Sequence, residues 1–253
     1  MTIKVIKRQL PAFIEREGAL VPEAYLDWRF DDKDSGDYLT IDKAVAFANK
    51  QGGVLQSLPE AAAIRVESRG SLEGADDYQI TRTVPLVFRE DFRPGGDWYL
   101  AISDEPCRDA NVLLARCGEA ASAFRKGVWR LPGGDLVVRA MIDAAERDDR
   151  VAKLPEDRLP YSSSVVGGVD SEFARGPVAK AFFKDMAPAY GAHLENKGYH
   201  NGRLWLLTDN HLEGVGCDEV AIRPVGLGLV NIVFADFNYV GRSRAVAPKK
   251  NSP

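Results

Sequence analysis

The chain has 253 residues, of which 45% are apolar and 28% charged, with a formal net charge of −4. These are ordinary globular values, and they exclude a disordered chain, which combines low hydrophobicity with high net charge. They also disfavour a nucleic-acid binder, which usually carries a basic excess.

The length is long for one domain and short for two, so one elaborated domain or two intimate ones both fit. The three cysteines, Cys107, Cys117 and Cys217, are odd in number and lack metal-type spacing, so reduced thiols in a cytoplasmic setting are expected. The first residues lack the apolar core of a secretory signal, and no uncharged apolar run reaches the ~18 residues of a membrane-spanning helix. No cofactor motif is present, and none is expected.

In chain order, residues 2–6 alternate and predict an edge strand. Pro11, Gly18 and Pro22 then interrupt the chain. Asp31–Asp42 has the length of a calcium loop. However, Lys33 stands where an oxygen ligand is needed, and Asp42 replaces the usual bidentate Glu, so the stretch reads as a charged loop before a helix. That helix is predicted from Thr40 as N-cap through the stripe Ile41, Ala44, Val45 and Ala48 to Gly52–Gly53. Val54–Leu58 and Ala62–Glu67 read as short strands around Pro59, followed by a polar loop.

Ile80–Phe88 and Trp98–Ile102 predict a hairpin closed by the turn-forming segment 89–97. Pro85 lacks a backbone donor and predicts an edge position for the first strand. Ala110–Phe124 reads as a small helix, and Val128–Leu131 as a short apolar segment. Pro132–Asp135 repeats the four residues Pro94–Asp97, but its flanks do not match, so no repeat is inferred. Asp135 is the predicted N-cap of a helix over Leu136–Val151, with Val137, Val138, Met141, Ala144 and Ala145 on one face. Gly133–Gly134 before that helix could cradle a phosphate. The glycine-rich fingerprints of nucleotide sites are missing, however, and Asp135 is itself an anion placed there.

Residues 152–168, with two prolines, three serines and a glycine pair, are the best candidate for a linker or domain subdivision. Ser162–Ser164 have no nucleophile-elbow context. From Ser171 to about Lys197 the pattern is helical in parts. Pro177 suits a first turn, Val178, Ala181, Phe182 and Met186 share a face, Pro188 interrupts, and Gly198 ends the run. Arg203–Thr208 predicts a strand. Glu219–Gly241 is the most apolar stretch, and two strands are read in it.

The chemical candidates are few. All three histidines, His193, His200 and His211, lie near Asp209, Cys217 and Asp218, but their spacing fits neither a zinc module nor a metalloprotease helix. No metal ligands and no catalytic residues are therefore assigned. The charge is uneven. Arg242, Arg244, Lys249 and Lys250 give the segment 241–253 a charge of +4, leaving −8 on residues 1–240. These four residues are the candidate partner-binding set, for docking onto an acidic surface.

The sequence thus predicts one α+β domain with a mostly antiparallel sheet, strands 219–240 central, and three or four packed helices. The leading functional expectation is a structural or interaction subunit of a larger macromolecular assembly, such as a virion or phage particle component. It would bind protein partners or copies of itself rather than membrane or nucleic acid. One alternative is a small cytosolic enzyme with its site around His193–Cys217, and another is a nucleic-acid or regulatory binding module.

Overall fold

The computed structural model describes residues 5–6, 13–16, 19–22, 54–68, 79–104, 129–154, 176–198, 203–205, 215–222, 225–227, 231–234, 242–243 and 245–246. In chain order the elements are β1 (Val5–Ile6), β2 (Phe13–Arg16), β3 (Ala19–Pro22), β4 (Val54–Leu55), α1 (Leu58–Ser68), β5 (Gln79–Ile80), β6 (Val84–Arg89), β7 (Trp98–Ser103), β8 (Trp129–Pro132), α2 (Leu136–Arg147), β9 (Val151–Lys153), α3 (Pro177–Phe183) and α4 (Ala187–Asn196). The last six are β10 (Arg203–Trp205), β11 (Glu219–Ile222), β12 (Val225–Leu227), β13 (Asn231–Phe234), β14 (Arg242–Ser243) and β15 (Ala245–Val246).

The main sheet is antiparallel throughout, in the order β8-β11-β6-β7-β9. Side chains alternate between its faces. The register places Val87, Leu100, Ala152 and Ala221 on one face, and they join one core with α1, α3, α4 and β12. On the other face, Phe88 stacks on Tyr99 and on Phe92, and α2 covers β7 with Val138, Ile142 and Ala145 buried. The sheet is thus covered on both faces, which explains why β6 and β7 read as continuous apolar runs rather than alternating ones. A second sheet runs β10-β13-β12-β5-β14, with its two outer pairs parallel. The α+β class and the mostly antiparallel sheet are as expected. The described residues of the stretch 219–241 supply interior strands to both sheets, and they form three strands where two were expected.

Four other expectations change. Ala62–Glu67 is helical, within α1. The reason is a capping box: the Glu60 carboxylate accepts from Ser57 N at 2.6 Å, and Ser57 Oγ accepts from Glu60 N at 3.4 Å. Pro59 sits in the first turn, where its missing N–H costs nothing. Pro85 lies in an interior strand. Its nitrogen faces β11, but β11 pairs with β6 only from Leu86 to Phe88, so no ladder bond is lost. The helix opened by Asp135 ends at Arg147. Val151 already belongs to β9, as do Ala152 and Lys153 from the start of the expected linker. Finally, Pro188 opens a helix instead of only breaking one, since it falls in the first turn of α4. Gly198 at φ +78° follows the end of α4 as expected. The helix predicted over 40–52 and that over 110–124 lie outside the described residues.

The β6–β7 turn is tight and strained. Asp91 and Phe92 both take left-handed backbone angles, φ +50° and +53°, which non-glycine residues rarely adopt. Phe92 holds the turn by stacking on Phe88 at 5.6 Å, with the Arg139 guanidinium over its ring, 4.8 Å from the centroid. Gly133 completes this packing. A Cβ there would collide with the Phe92 ring and stand 3.0 Å from the Asp218 carbonyl oxygen, to which Gly133 N already donates. Gly133→Ala should therefore destabilise the protein by about 1–3 kcal/mol, as overpacked sites do. Urea unfolding checks this, and the loss should shrink in a Phe92→Ala background, where the ring no longer obstructs the added methyl.

Candidate functional site

The sequence between β4 and β6 places an unusual density of polar residues in the interior. Gln56, Ser57, Gln79, Thr81, Arg82 and Thr83 are all buried. Each buried polar group needs a partner, because an unmade hydrogen bond there costs about 1–3 kcal/mol. The partners form a connected network. Thr83 Oγ1 accepts from Leu58 N at 2.8 Å and donates to Asp104 Oδ1 at 2.5 Å. Asp104, just past the end of β7, pairs with Arg150 Nη1 at 2.6 Å. Arg150 leads into β9, and it also donates from Nε to Ala181 O at 2.9 Å and from Nη2 to Phe182 O at 3.4 Å. A cation thereby caps the C-terminal carbonyls of α3, where the helix dipole favours positive charge.

Arg82 forms the second half of the network. Its Nη1 donates to Leu55 O at 2.6 Å and to Glu60 Oε2 at 3.0 Å. Glu60 is the residue that caps α1, so one carboxylate serves the helix start and the arginine together. The Arg82 Nε–H has no acceptor among the described residues, although the side chain is 8% exposed.

These groups border a cleft of about 190 Å³ between the start of β6, the end of β7 and the C-terminal end of α2. Arg82, Ser103, Asp104, Asp148, Arg150 and Lys184 supply its polar lining, with Ile102, Ala144 and Ala145 as apolar wall. Lys184 and Asp148 form its rim, 3.9 Å apart and both substantially exposed. Burial by itself would raise the Asp104 pKa. The Arg150 charge and hydrogen bond, the Thr83 hydroxyl and the Arg82 charge together outweigh it and hold the carboxyl below its ordinary value. Asp104 is therefore ionised at neutral pH, and it is fully engaged rather than poised as an acid or base. Outside the cleft, the exposed Lys180–Asp149 pair raises the Lys180 pKa, first through the hydrogen bond and then through the charge of Asp149.

The residues singled out from sequence lie elsewhere. Arg242 is carried on β14, paired in parallel with Gln79 of β5. Arg244, Lys249 and Lys250 fall outside the described residues, as do His200 and His211. His193 sits on α4 with its ring stacked on Tyr190 at 6.3 Å. Cys217 is a half-buried free thiol in the turn before β11. Among the described residues, no group of three His, Cys, Asp or Glu side chains is arranged to hold a metal. None of their helices is long and apolar enough to cross a membrane. The sequence reading missed Arg82, Asp104, Arg150 and Lys184. Only Glu60 had a local signal, the Ser57-x-x-Glu60 spacing.

No family model matches this chain, and no curated protein matches it. One solved structure does, described as "Accommodation of massive sequence variation in Nanoarchaeota by the C-type lectin fold". The match has 17% sequence identity and a TM-score of 0.57, and it covers 83% of this chain and 94% of that one. At that identity the likeness concerns the fold alone: the chain has the α+β architecture of the C-type lectin fold.

Proposed function

We propose that this chain is an interaction protein, which works by presenting a surface to a macromolecular partner rather than by turning over a substrate. The observation that carries this reading is the fold-level likeness to a C-type lectin fold described as accommodating massive sequence variation. A fold that tolerates outer change must be held from within. This chain has that construction: the Arg82–Glu60 and Arg150–Asp104 pairs and the apolar core are internal. The partner in this reading is a protein, either another chain or a second copy, within an assembly such as a virion or phage particle.

The docking charges in this reading are those of the basic tail. Arg242–Ser243 run along β5 and Ala245–Val246 along β4, so the chain's own strands hold the first part of the tail. Arg244 lies between these two strands in sequence, and Lys249 and Lys250 follow shortly after. An acidic surface is the complementary target, and residues 1–240 of a second copy, at −8, supply one.

Native mass spectrometry of the purified protein tests this. The expected result is a multiple of the 27.8 kDa chain. A triple variant, Arg244→Gln with Lys249→Gln and Lys250→Gln, keeps the β14 and β15 backbone in place and should weaken that association by about tenfold. A bare monomer overturns self-assembly. A multimer unchanged in the triple variant overturns the role of the tail.

A further inference from the structure

We propose that the turn end of the main sheet is the surface that receives the basic tail of a second copy, so that copies join head to tail. This rests on the interaction reading above and names the acidic surface which that reading requires. Three turns meet at this end: 90–97 between β6 and β7, 133–135 between β8 and α2, and 215–218 before β11. Gly133 ties them together, since it lies against the Phe92 ring and donates to Asp218 O at 2.6 Å. From this base the first turn of α2 presents Leu136, 85% exposed, and Val137, 38% exposed, beside an exposed Pro132. Among the described residues, Leu136 and Val137 are the exposed large apolar side chains. Apolar residues gathered in one exposed place and rimmed by charge mark an interaction site.

The rim is acidic. Segments 89–97, 132–143 and 215–219 hold seven carboxylates and three arginines. Lys153 answers one of the carboxylates, Asp97, which leaves −3. Arg93 is shared between Glu90 and Asp91, 3.7 Å from each, and Arg139 lies over the Phe92 ring. Asp143 and Asp218 are exposed and have no basic partner among the described residues. On α2, Leu136, Ala140 and Asp143 follow one another along one exposed stripe. The tail has the matching order, Ala247 and Pro248 followed by Lys249 and Lys250.

The tail leaves the molecule from the opposite end. β15 pairs with β4, and β4 leads into Gln56, whose carbonyl accepts from Arg82 N just before β6. The six residues of β6, about 20 Å of strand, then separate that place from the 90–97 turn. Lys249 and Lys250 stand three and four residues past Val246, within ~14 Å of it along the chain. They are therefore better placed for the turn end of a neighbour than for their own. A head at one end and a tail at the other make a heterologous contact, which extends into a ring or filament instead of stopping at a dimer.

Native mass spectrometry of two variants, apart and mixed, tests this. The head variant is Leu136→Ser with Asp143→Lys. Both positions are exposed, so it should fold, as circular dichroism checks. Should it not, Val137→Ser with Asp218→Asn takes its place. The tail variant is the Arg244→Gln, Lys249→Gln, Lys250→Gln chain. Each alone should associate about tenfold more weakly than the unmodified chain. Mixed in equal amounts, they should form a one-to-one pair that grows no further, because one intact head meets one intact tail. A head variant that assembles like the unmodified chain, while the tail variant falls apart, overturns this surface and leaves the role of the tail standing. A tail variant that assembles normally, or an unmodified chain that is a bare monomer, overturns the self-assembly reading and this surface with it. Mixing that restores no pair overturns the head-to-tail arrangement.

Discussion

Arg150→Ala is expected to be the most damaging single substitution among the polar residues, costing about 3–5 kcal/mol, the range for breaking a buried ion pair from one side. The side chains of Arg150 and Asp104 are 3% and 13% exposed, so water replaces only a small part of what is lost. Removing Arg150 strands a buried carboxylate with the Thr83 hydroxyl as its main support. It also uncovers the carbonyls of Ala181 and Phe182 at the end of α3. Because typical domains are stable by only ~5–15 kcal/mol, this is a large fraction of the total. Guanidinium unfolding should show it as a lowered midpoint. Lys180→Ala, which breaks the exposed pair with Asp149, should leave the midpoint where it was. Equal effects of the two substitutions would refute the distinction drawn here.

The same pair sets a pH dependence. The folded-state pKa of Asp104 lies below its unfolded value. Its contribution to stability is therefore fully present above the unfolded pKa of ~3.9, and it is lost as pH falls from there through the lowered folded value. Stability measured against pH should fall on that acid limb in the unmodified protein. In Asp104→Asn the slope there should be shallower, because one proton-linked group is gone.

Phe182→Ala should cost about 3–5 kcal/mol, the usual range for removing a buried aromatic side chain. Phe182 is 0% exposed on α3 and belongs to the core that joins α1, α3 and α4 to the sheet. It is among the largest fully buried side chains, so its removal opens a space that a close-packed core refills only in part. By contrast, Leu136→Ser should change stability by less than ~0.5 kcal/mol, since Leu136 is 85% exposed despite opening an amphipathic helix. Chemical denaturation of both variants checks the pair. A small loss for Phe182→Ala would mean that α3 does not anchor the core.

The α+β class, the 80–102 hairpin, the Asp135 cap, the Pro177 helix and the Gly198 stop were all legible in the sequence. The last three depend on residues within one or two turns of one another: a cap and the N–H it accepts from, a proline in a first turn, a glycine at positive φ. Local chemistry decides those, and it is written in adjacent letters. What only the tertiary structure decided was placement. Pro85 reads as an edge residue until β11 is seen to stop one position short of it. Val137 reads as core until α2 is laid on β7 and the buried stripe turns out to be Val138, Ile142 and Ala145. The cleft is the clearest case. Arg82 meets Glu60 across 22 residues, and Asp104 meets Arg150 across 46. A charge in sequence looks like solvated surface whether or not a partner waits in space. Sequence spacing cannot say which arginine loses its water, because desolvation is set by everything that packs around it.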